Sequence, residues 1–188
     1  TRGVQTMLRL TSENHMRLSD MADSKANILI SVNAIIISVV LSVLMRKLEV
    51  EPYLTIPTII FLASSVATIV LAILATRPKV TEGRFSMDDV MARKTNLMFF
   101  GNFYKSSLEE YQKAMDYLMS DKVYLYSSLV KDIYFLASVL GRKYRLLRLA
   151  YTIFMIGIII SVIAFTIATM LVQSHQVTTV SMPSGTPL

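Results

Sequence analysis

The stretch ARKTNLMFFGNFYK, residues 92 to 105, combines cations, aromatic rings and side-chain amides more densely than any other polar part of the chain. Arg93, Lys94 and Lys105 supply positive charge, and Phe99, Phe100, Phe103 and Tyr104 supply ring faces. Asn96 and Asn102 supply amides able to donate to and accept from a heterocycle's edge. Such a set suits a ligand carrying one negative charge and a flat ring: the cations take the anion and the aromatic faces stack on the heterocycle. Arg77 and Lys79, at the end of an apolar segment, are near enough in sequence to approach it. The same aromatics equally suit packing beneath a helical bundle or at headgroup level, and the same charges suit a topology signal. A second charged run, Arg17, Asp20, Asp23 and Lys25, is the next choice for such a ligand.

Catalytic chemistry is poorly represented. The chain has two histidines, His15 and His175, and no cysteine, and it contains no H-E-x-x-H, no phosphate-binding G-x-x-x-x-G-K and no G-x-S-x-G. Glu13, His15, Asp20 and Asp23 share one region, but their spacing matches no ligand set, so solvation, capping or ion pairing is the expected role. No catalytic residue, metal or cofactor is assigned, and the expectation is a protein that is not an enzyme.

The elements that must position these residues follow from composition. The chain has 188 residues, is 53% hydrophobic and 17% charged, and has a mean hydropathy of +0.52, which is too apolar for an ordinary soluble domain. Ala26 to Met45, Tyr53 to Thr76 and Ala150 to Val172 contain no Asp, Glu, Lys or Arg. About 20 helical residues cover a hydrocarbon core of roughly 30 Å, so these three stretches predict three transmembrane helices. Lys and Arg then divide seventeen to two between the compartments, which places the N-terminus in the cytoplasm and the C-terminus outside. Residues 173 to 188, rich in Ser, Thr, Pro and Gly, predict a disordered external tail.

Two parts remain on the basic side. Residues 1 to 25 carry Val4, Met7, Leu8, Leu10, Leu18 and Met21 largely on one side of a helix, and predict an amphipathic arm running on into span one. Residues 77 to 149 predict a cytoplasmic helical region between spans two and three. It starts with a loop around Pro78 and Gly83 and continues with a short helix from Met87 to about Asn96, capped by Ser86. Ser107 and Glu110 form a capping-box pattern opening a long amphipathic helix that is expected to end at Gly141. Its apolar face needs a partner, and the arm provides one.

Each span also carries a stripe of small or polar residues. Asn27, Ser31, Ala34, Ser38 and Ser42 fall on one face of span one, and Ser64, Ser65, Thr68, Ala72 and Thr76 on one face of span two. Ala150, Gly157, Ser161, Ala164 and Ala168 do the same on span three. Faces of this type predict close helix contact, within a subunit or in a homo-oligomer. With no charge inside any span, a proton-coupled transporter or ion pump is disfavoured.

The segments HMRLSDMADSKANILISVNAIIISVVLSVL, LATRPKV, KTNLMFFGNFYK and LGRKYRLLRLAY together resemble the membrane effector family of bacterial Pycsar antiphage systems over nearly the whole chain. The resemblance implies an inner-membrane protein responding to a cyclic pyrimidine nucleotide, cCMP or cUMP, made by a partner cyclase. It would then impair the bilayer and arrest growth, with no nucleic acid polymer as partner. On that reading Arg93, Lys94, Asn96, Asn102, Tyr104 and Lys105 are the candidate nucleotide site. Some similar proteins carry an HD phosphohydrolase domain ahead of this membrane region, and the chain begins at Thr1. The alternative expectation is therefore a passive anchor and oligomerisation module for such an enzyme.

Overall fold

The computed structural model describes residues 2–78 and 83–180, all in helices, turns and connections, with no strand among the described residues. Five α-helices follow in order: α1 Arg2–Leu48, α2 Thr55–Thr76, α3 Met87–Met91, α4 Leu108–Ser120 and α5 Lys122–Val180. Short 3₁₀ turns stand at Pro52–Leu54 and Phe100–Asn102. The helices α1 and α5 and the segment Pro52–Thr76 are long and apolar enough to cross a membrane. The chain divides into two compact units, one of Thr1–Asp23 and Thr76–Tyr144 and one of Ser24–Ala75 and Arg145–Leu188.

The first unit holds the polar chemistry. Its core is Val90, Leu97, Ala114, Leu118 and Tyr124, with Phe85, Met87, Met115, Tyr117 and Leu125 packed against it. The arm of α1 belongs to this unit, and its Leu8 is buried. Lys143 Nζ donates to Ser19 Oγ at 2.9 Å and to both oxygens of Asp23 at 2.9 and 2.8 Å, while Tyr144 Oη donates to the Leu18 carbonyl at 3.2 Å. These polar clasps tie the arm to residues just after Gly141, beyond the amphipathic stretch that was expected to partner it.

Three boundaries differ from the sequence expectation, each for a local reason. Helix α3 stops at Met91, not near Asn96. Arg93 takes the left-handed conformation (φ 55°), its N–H donates to the Val90 carbonyl, and the Lys94 N–H donates to the Asp89 carbonyl. This is the two-bond termination that usually employs glycine, here built on arginine, so composition gave no warning of it. The long amphipathic helix breaks at Asp121, whose Oδ1 accepts from the N–H groups of Val123 and Tyr124 at 2.9 and 3.1 Å and so caps α5. At Gly141 the helix does not stop. Gly141 lies within α5, which runs through it into span three and on to Val180, past the expected start of the tail. Residues 181–188 of that tail lie outside the described residues.

The second unit buries Leu29, Leu54 and Leu147 and, besides these, a set of small positions. Along α2 they are Ser65, Thr68, Ala72 and Ala75, and along α5 Ala150, Gly157 and Ser161, so the expected stripes of spans two and three do pack within the chain. On α1 the packed face is instead Ala26, Leu29 and Asn33, and Asn27, Ser31, Ala34, Ser38 and Ser42 stay exposed. A serine can satisfy its hydroxyl on its own helix, as Ser42 Oγ does by donating to the Val39 carbonyl at 3.0 Å, and so tolerates lipid. Asn33 is the polar residue of α1 taken inside, and there its Nδ2 donates to the Leu29 carbonyl of its own helix at 2.8 Å.

Gly157 meets Ser64 so closely that any Cβ there would collide with the serine side chain. Gly157→Leu is therefore expected to lower stability in detergent by about 1–3 kcal/mol through overpacking, with the particle mass unchanged. A changed mass with unchanged stability would show that this face serves an interface between copies.

Candidate functional site

The sequence-predicted cluster divides in two when folded. Arg93 pairs with Asp121, and its carbonyl accepts from Lys131 Nζ at 2.8 Å. Asn96 is buried, donating from Nδ2 to Asp132 Oδ1 at 3.1 Å and accepting at Oδ1 from the Met98 N–H at 3.0 Å. Asn102 Nδ2 donates to the Asn96 carbonyl at 2.7 Å. Arg93, Asn96 and Asn102 thus hold the loop between α3 and α4 in shape. Lys94 is exposed, as is Arg77, and Lys79 lies outside the described residues. The aromatics pack largely on one another, with Phe99 to Phe100 at 5.1 Å between centroids, Phe100 to Tyr104 at 6.5 Å and Phe103 stacked on Tyr111 at 4.3 Å.

Tyr104 also reaches a second place, which Lys105 shares. Gly83 has φ 79°, and the Tyr104 ring lies so tightly over it that no side chain fits there. The Lys105 N–H donates to the Gly83 carbonyl at 2.8 Å, and Lys105 Nζ sits 5.3 Å from the Tyr104 ring centroid. This pairing borders a cleft of about 350 Å³ lined by Arg84, Phe85, Lys105, Ser106, Ser107 and Glu110. That volume lies at the small end of the range for ligand clefts, ~300–1,000 Å³. Two cations, one ring, two hydroxyls and the Glu110 carboxylate line it, and Lys105 is the one residue it shares with the site expected from the sequence. Arg84 and Phe85 were missed because their neighbours along the chain carry no ring or amide cluster.

The capping box at the cleft edge is fully formed. Ser107 Oγ accepts from the Glu110 N–H at 3.2 Å, and Glu110 Oε2 accepts from the Ser107 N–H at 3.0 Å. Those bonds from Ser107 hold the Glu110 carboxyl below its ordinary range, with smaller help from Arg84 and Lys113. A depressed carboxyl stabilises the fold above its unfolded-state value, and that stabilisation fades as pH falls through the folded one. Because Glu109 and Glu110 already serve the first turn of α4, the cations and not the helix end would attract an anion.

In the charged run of the arm, Glu13 pairs with Arg9 and Asp23 with Lys143, and no cluster of three His, Asp or Glu able to hold a metal exists among the described residues. A family model described as the Pycsar effector protein domain matches residues 6–170. No curated protein and no solved structure matches.

Proposed function

Since the chain belongs to the Pycsar effector family, a membrane arm of antiphage defence, we propose that its polar unit senses a cyclic pyrimidine nucleotide and that its spans then impair the bacterial inner membrane. The observation supporting this reading is that the matched segment, residues 6–170, covers most of both the polar unit and the apolar helices. A passive anchor for a separate enzyme is not favoured, because the effector match lies on this chain itself. In the proposed arrangement the polar unit is cytoplasmic, the C-terminus is external, and cCMP or cUMP arrives from a partner cyclase. No bond is made or broken by the effector. The small-residue face of α1, exposed in the single chain, serves self-association.

The nucleotide enters the cleft, with Arg84 and Lys105 on the phosphate, Phe85 against the base and Ser106 and Ser107 within reach of its polar edges. A charged hydrogen bond contributes about 1.5–3 kcal/mol, so losing two shifts a midpoint by about 100-fold or more. Full-length protein in liposomes is expected to release trapped dye on addition of cCMP or cUMP, with Arg84→Ala/Lys105→Ala shifted to that extent. Arg93→Ala/Lys94→Ala is expected to leave the midpoint in place while lowering thermal stability, since Arg93 holds Asp121. A shift confined to the second pair would return the site to the loop between α3 and α4, and silence of the wild type toward both nucleotides would refute sensing.

A further inference from the structure

Among the described residues of the second unit five polar ones are buried, and they fall into two groups. Thr58 and Thr68 donate to the carbonyls of Leu54 and Ser64 at 2.7 and 2.8 Å, the usual solution for a hydroxyl on a helix in hydrocarbon. Asn33, Ser65 and Ser161 do not reach it. Asn33 Nδ2 donates to the Leu29 carbonyl at 2.8 Å, which leaves Oδ1 facing the packed interior as an acceptor without a donor. Ser65 Oγ and Ser161 Oγ have no partner either. Their exposures are 0, 1 and 2%. Each of the three stands on a different span, and the contact of Gly157 with Ser64 puts α2 and α5 together one residue from Ser65 and one turn from Ser161.

We propose that this seam between the three spans is a binding site for water and small monovalent cations, the place at which the spans part to let them through. The chemistry selects the ligand. The free groups are an amide oxygen and two hydroxyls, so the seam offers three oxygens, as the hydration shell of a cation does, while one of the two Asn33 amide N–H groups is engaged by the Leu29 carbonyl. Neutral side chains explain how the closed packing survives in hydrocarbon, where a buried carboxylate would need a countercharge. Orphaned polar atoms also bias the bundle: closed, they have no partners, whereas a hydrated seam satisfies all three. The apolar positions one step around each helix, such as Ile35, Val66 and Ile159, are exposed in the chain and face lipid in either state.

This inference rests on the membrane-impairing reading, and its test separates the two. The triple variant Asn33→Leu/Ser65→Ala/Ser161→Ala removes the orphaned atoms while keeping or filling the space. It is expected to melt at the same or a higher temperature than wild type in detergent, and to reduce nucleotide-triggered efflux of potassium from liposomes at least tenfold. The single Ser161→Ala is the guard against repacking by leucine, and is expected to act in the same direction on both readouts. A lowered melting temperature in both variants would mean that these atoms are structural, and overturns the proposal. So would wild-type efflux from a stable variant, or chloride passing as readily as potassium. If the wild type itself releases nothing, the effector reading fails, and the melting temperatures alone decide whether the seam is strained.

Discussion

Replacing Tyr124 with alanine is expected to lower the stability of the polar unit by about 3–5 kcal/mol, the range for deleting a buried aromatic ring. Tyr124 is fully buried and is the largest side chain hidden anywhere among the described residues. Its ring meets Tyr117 edge-on at 6.2 Å, and its hydroxyl donates to the Thr95 carbonyl at 2.8 Å, tying α5 to the loop after α3. A small unit holds about 5–15 kcal/mol in total, so the loss is a large fraction of what keeps the cleft assembled. Tyr124→Phe keeps the ring and loses one hydrogen bond, for about 1 kcal/mol. Urea titration in detergent, read by near-ultraviolet circular dichroism of the tyrosines, distinguishes the two. An alanine variant within 1 kcal/mol of wild type would mean that Tyr124 packs against water or lipid and not in a core.

The second large effect lies at the clasp between the arm and α5. Lys143 gives its ammonium to Ser19 and to both carboxylate oxygens of Asp23, and its side chain is 15% exposed against 37% for Asp23. Truncation to alanine strands two acceptors. Charged hydrogen bonds of this kind contribute about 1.5–3 kcal/mol when shielded, and the water reaching Asp23 places the expected loss at the lower end. Lys143→Met keeps the aliphatic stem and isolates the charge. A double-mutant cycle with Asp23→Asn should show coupling of about 1 kcal/mol, and amide exchange in residues 2–20 should quicken in either single variant. Additive effects with unchanged exchange would mean that the arm is held by Leu8 and Tyr144 alone.

By itself the sequence determined the three spans, because twenty or more residues without a charge can satisfy their backbones only as helices in hydrocarbon. It also determined that the arm runs into span one, which α1 shows as one unbroken helix, and that Ser107 and Glu110 start α4, since a capping box needs only residues three apart. Tertiary structure decided what depends on partners distant in the chain. The stop after Met91 relies on an arginine held in a glycine conformation, with its side chain on Asp121 and its carbonyl on Lys131. No local pattern announces that. Arg93 and Asn96 read as ligand groups until their partners, Asp121 and Asp132, are brought to them from α5 and its cap. Likewise, periodicity found a face of small residues on every span but could not say which face of α1 would turn inward. Packing buried Asn33 together with Ala26 and Leu29 and left the serine stripe out, a choice set by the shapes of the neighbouring spans and so made only where the spans meet.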